Sequence, residues 1–141
     1  MISSAMDLAG AAVLGGPPHP LNWFAGWALV LAAFVSGAIL GAGFHREDFL
    51  GGYSSFRRRM LRLGHIALAA LGMMNVLFGL SPWPAAGAVS TAASICFIAG
   101  ALLMPAVCFL SAWRQALRRL FFLPVLSLIA AAVLTLIGGF S

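Results

Sequence analysis

The chain has 141 residues, 62% of them hydrophobic and 8% charged. A water-soluble domain carries about a quarter charged residues, so composition excludes one and makes the bilayer the fitting solvent. The formal charge of +5 comes from eight arginines, with no lysine, against Asp7, Glu47 and Asp48; every arginine lies within 46–62 or 114–119, a pattern of membrane orientation and anionic headgroup contact that excludes nucleic acid as the partner.

Residues 1–20 read as a flexible N-terminal leader. Its apolar stretch at 8–16 has no basic residue before it, which argues against a cleaved secretory signal. It ends in Gly15-Gly16-Pro17-Pro18-His19-Pro20, which cannot be helical. A first apolar span is expected over 21–44, with Trp23 and Trp27 in the aromatic-belt position. The loop over 45–59 mixes charges, aromatics and Gly51-Gly52. A second span follows over 60–80, stopped by Ser81-Pro82-Trp83-Pro84. The third covers 85–113 with Pro105 inside it, and Met104-Pro105 predicts a bend there. After the turn at 114–119 the fourth runs over 120–140, and Pro124 is tolerated in its first turn.

The expected architecture is therefore all-α: an integral membrane four-helix bundle of two hairpins occupying 21–141. Positive-inside bias places both arginine loops in the cytoplasm and both termini on the extracytoplasmic side of a cell (inner) membrane. The segment from Arg58 to Gly64 weakly resembles that from Arg118 to Pro124, sixty residues on, as a distant direct repeat would. Cys96 and Cys108 lie in one span, about 18 Å apart along a helix, too far for a disulfide.

Helical projection gives each span one small, weakly polar face. On the first it is Gly26, Val30, Ala33, Gly37 and Gly41, with Gly37 and Gly41 forming a GxxxG pair. On the second it is Gly64, His65, Leu68, Gly72, Asn75 and Gly79. The third offers Gly87, Ser90, Ser94, Ala101, Pro105 and Cys108, and the fourth Ser127, Ala131, Thr135 and Gly138. Since hydrophobicity does not drive helices together in lipid, close approach over such faces is the expected packing force, with Gly37, Gly41, Gly72 and Gly79 as packing residues. No room for an aqueous pore is expected.

Few residues bear chemistry. His65 lies near the arginine end of the second span, where an intramembrane histidine is a candidate axial ligand for b-type haem. His45 is the candidate second ligand, and Gly72 a surface against which a macrocycle lies. Arg46, Arg57, Arg58, Arg59 and Arg62 are candidates for pairing with propionates. Asn75, read as lying near mid-membrane, is a candidate quinone hydrogen-bonding group. For His65 and Asn75 the plainer reading is interhelical hydrogen bonding. Cys108 is a candidate nucleophile or palmitoylation site, or simply a buried packing residue. Arg57, Arg58, Arg59, Arg62, Arg114, Arg118 and Arg119 are expected to contact anionic lipid or a partner.

No carboxylate lies in any span, and no CxxC, HExxH, phosphate loop or paired acids occur, so no catalytic set is assembled. An intramembrane enzyme using His65 and Cys108 is the remotest reading. The favoured one is a small accessory subunit that packs through its glycine faces against other membrane subunits or itself. The alternative is a redox module holding haem or quinone at His65 with His45 or Asn75.

Overall fold

The computed structural model describes residues 16–82 and 87–140, without the side chain of Phe140. The leader over 1–15, Trp83-Pro84, the expected start of the third span at Ala85, and Ser141 lie outside the described residues. Among those described there are four α-helices: α1, Pro20–Gly43; α2, Phe56–Leu80; α3, Ala88–Trp113; and α4, Phe122–Phe140. A 3-10 turn, Phe49–Gly51, lies between α1 and α2, and a longer one, Gln115–Phe121, leads from α3 into α4. The described residues contain no strand.

Each end has a local cause. α1 opens on Pro20, whose missing N–H is no loss at the first helical position. The chain leaves α1 through Phe44, whose amide donates to the carbonyls of Gly41 and Leu40. It then turns through Leu50, Gly51 and Gly52, all at positive φ. Two of the three are glycine, which adopts that conformation without steric cost; Leu50 bears strain of order 1 kcal/mol. α2 begins at Phe56, four residues before the expected start at Met60. Ser55 is the reason: its Oγ accepts the amide of Arg58 at 3.2 Å and caps the helix. The arginines read as loop are thus its first turn. α3 passes through Pro105, which is buried, and Pro124 is the third residue of α4.

α1 and α2 form the most extensive pair, followed by α3 with α4 and α2 with α3, while α1 and α3 touch only lightly. The bundle is a three-helix unit with α4 laid along α3. In the most apolar stretch of α4 only 11% of residues are buried, against 39% in α2 and α3. Counting the turn before α4, four helical segments of 24 to 26 residues are long and apolar enough to cross a membrane; 24 residues reach about 36 Å, against a hydrocarbon core of about 30 Å.

The small faces do point inward where the helices meet. A methyl at Gly26 would lie 2.6 Å from the amide nitrogen of Val76 and 2.7 Å from the carbonyl oxygen of Gly72. One at Gly79 would lie 2.7 Å from the backbone of Trp23. α1 and α2 are therefore in backbone contact through glycine, the arrangement that replaces hydrophobic driving force in lipid. Gly37 carries the imidazole of His65, whereas Gly41 is exposed and faces open space. Leu29, Ala33, Leu68 and Ala101 make the central core, and Leu40, Leu61 and Ala112 a second cluster at the arginine end.

Candidate functional site

Three polar assemblies lie at different depths. The first, at the end of the bundle away from the arginine loops, joins α1, α2 and α3. Asn22 Nδ2 donates to Asn75 Oδ1 at 2.9 Å, and Ser94 Oγ donates to Asn22 Oδ1. Asn75 Nδ2 in turn donates to the carbonyls of Leu71 at 2.9 Å and Phe97 at 3.4 Å. Both asparagines are fully buried. Asn75 lies toward one end of α2 and not at its middle, five residues, about 7.5 Å, from the helix end, and it meets the third residue of α1. Its amide is committed to three intrachain partners. Outside it, His19 stacks on Phe78 with centroids 4.6 Å apart, and its Nδ1 lies 3.4 Å from Ser90 Oγ.

The second assembly is His65. Ser36 Oγ donates to the carbonyl of Ala33 at 3.0 Å and lies 3.2 Å from His65 Nδ1. The direction of that bond follows the imidazole tautomer, and Nε2 makes no hydrogen bond among the described residues. His45 is exposed in the turn beyond α1. The space beside Gly72, which a flat macrocycle would need, is filled by α1: a methyl there would meet Gly26 and Val30 at 3.0 Å. No group of three His, Cys, Asp or Glu suited to a metal occurs among the described residues. Cys108 is buried on the packing stripe.

The third assembly, at the arginine end, is the one with free charge. Arg58 is only 5% exposed. Its guanidinium lies 4.4 Å from the Phe44 ring centroid and 5.4 Å from that of Tyr53, which Arg62 also covers at 4.8 Å. Such cation–π contacts hold a charge but offer its N–H groups no oxygen acceptor. Arg58 Nε is buried with no hydrogen-bond partner, and among the described residues no arginine of this loop pairs with a carboxylate. Arg62, by hydrogen bonding and by charge, holds the Tyr53 hydroxyl below its ordinary pKa; desolvation opposes this, and Arg58 adds a smaller lowering. Beside this cluster Arg59, Arg62, Leu63 and Ile66 line a groove of about 310 Å³. In the other loop Arg114, Arg118 and Arg119 are exposed and form no comparable cluster.

Two of these features were hidden in the sequence. Asn22 lies on the Gly26–Ala33 stripe, 40° from Gly26 by the helical rule, and a polar residue one turn inside a small face is a packing signal. Arg58 precedes His65 by seven residues and so extends the small face of α2; that register sets it apart from Arg57 and Arg59, which are exposed.

Fold and site together define a small all-α membrane protein with a polar-locked helix core and a basic, aromatic interface at one end. No protein-family model, no curated protein and no solved structure matches the chain.

Proposed function

We propose that the chain is an accessory or interaction subunit of a cell (inner) membrane. It packs against other subunits or itself through helix faces left uncovered, and its arginine loops rest on the anionic cytoplasmic leaflet. The observation that carries this reading is the closure of the internal polar groups at Asn22, Asn75 and Ser94 on one another, while α4 and the outer face of α1 stay apolar and open. A bundle built this way offers apolar surface to a neighbour in the membrane. A photo-crosslinking residue placed at Phe34 on α1, Leu77 on α2 and Leu136 on α4, all exposed, tests it in native membranes. The expected result is a discrete protein adduct from at least one face. Lipid-mass labelling alone at all three positions would reject the accessory role.

In this orientation both termini are extracytoplasmic, a reading supported by all eight arginines falling in the two loops at one end of the helices. A reporter active only in the cytoplasm should be silent when fused at Ser141 and active when inserted at Gly51. The reverse pattern would invert the topology.

A redox role keeps one specific support, the unpaired Nε2 of His65, oriented by the Nδ1 bond to Ser36. Protein purified from haem-replete cells should be colourless if the accessory reading holds. A Soret band abolished by His65→Ala and retained in His19→Ala would replace it with haem ligation.

A further inference from the structure

We propose that the Tyr53, Arg58, Arg59 and Arg62 cluster is a discrete site for one anionic phospholipid. This rests on the reading that the loop between α1 and α2 lies at a membrane surface. It goes further by assigning the contact to one loop and one ligand class. The lipid phosphate is held between Arg59 and Arg62, with the exposed Tyr53 hydroxyl beside it. One acyl chain descends over Leu63 and Ile66.

Three observations support it. The first is unbalanced charge. Arg58 is buried, stacked between Phe44 and Tyr53, and its Nε has no partner. A buried cation without an anion is unfavourable, and a phosphate in the adjoining groove supplies the missing charge where the dielectric is low. The exposed acids Glu47 and Asp48 do not do so, because neither pairs with any of these arginines. The second is shape and polarity. Residues 59, 62, 63 and 66 share one face of α2, so the groove passes from two guanidinium groups to two aliphatic side chains within two helical turns. That gradient, cationic at the mouth and apolar below, matches a phospholipid headgroup and tail; a free anion has nothing to place on Leu63 and Ile66. The third is preorganisation. Arg62 lies over the Tyr53 ring, 4.8 Å from its centroid, so less side-chain freedom is lost on binding than at the isolated arginines of the second loop.

The experiment uses the full chain in a mild non-ionic detergent. Native mass spectrometry counts retained phosphatidylglycerol against phosphatidylcholine of the same acyl composition. The wild type is expected to retain one phosphatidylglycerol in preference to phosphatidylcholine. Arg62→Gln should weaken retention about fivefold, as loss of one interfacial cation implies, and Ile66→Ser should weaken it with the charge intact. Arg118→Gln, in the other loop, should leave it unchanged. Both Arg62 and Ile66 lie on an outer face, and a thermal midpoint measured in parallel confirms that each variant is folded. Equal losses from Arg62→Gln and Arg118→Gln would overturn the site while leaving diffuse leaflet contact standing. No preference for phosphatidylglycerol in the wild type would overturn both. Full competition by millimolar inorganic phosphate with no effect of Ile66→Ser would show a free-anion site and refute the lipid assignment.

Discussion

Replacing Asn75 with leucine is expected to destabilise the bundle by about 1–3 kcal/mol, the range for stranding buried polar partners. Hydrogen bonds between membrane helices average only about 0.6 kcal/mol, because separated helices find other partners in lipid. Asn75 should exceed that average because its loss removes the shorter of the two bonds that the Asn22 amide donates, leaving that fully buried group with only the 3.4 Å contact to the Ser94 carbonyl where three helices meet. The check is a thermal unfolding midpoint in detergent for Asn22→Leu, Asn75→Leu and the double variant. The double should be less destabilised than the sum of the singles, since each single already breaks the shared bond. Strict additivity, or a single variant as stable as the wild type, would show that the asparagines are bystanders in the packing.

The second large effect belongs to Gly26. Even alanine there is expected to be costly, because the added methyl meets backbone of α2, which cannot rotate away as a side chain can. Overpacking of this kind typically costs about 1–3 kcal/mol, and Gly26→Leu should approach loss of the α1–α2 pair. Gly41→Leu is the matched comparison on the same helix. Nothing lies within 4 Å of a Cβ added there, and the position is exposed, so the monomer should keep its midpoint. Equal sensitivity of the two positions would mean that the α1–α2 contact is not where the structure places it.

Both predictions depend on registers that were partly visible in the chain. The glycine stripes on α1 and α2 follow from periodicity, because side-chain size alone governs how closely two helices approach in lipid. Periodicity does not say how far along the stripe the partner follows, so Gly37 and Gly41 read alike although only Gly37 is covered. Asn22 went unread because one asparagine beside two tryptophans resembles an interfacial residue, and its partners are 53 and 72 positions away. Arg58 disappears for the opposite reason: four arginines in a row of six look equivalent as charge. They separate only when the helix is known to start at Phe56, capped by Ser55, a start that a charge-based boundary places four residues too late. The peripheral place of α4 has no sequence signature, since its small face is as well formed as the others and only tertiary packing decides how many neighbours it meets.

The serial packing of the helices has a consequence for biogenesis. As each helix after the first leaves the translocon, the neighbour before it in the chain is already in the membrane as a large packing partner, so the protein assembles in the order of synthesis with short searches. The link from Asn22 to Ser94 is the exception. The first hairpin is inserted with Asn22 joined to Asn75, but the carbonyl oxygen of its side chain waits for a donor that arrives only with α3. The first hairpin is thus a provisional structure, and the third helix is the step that commits it.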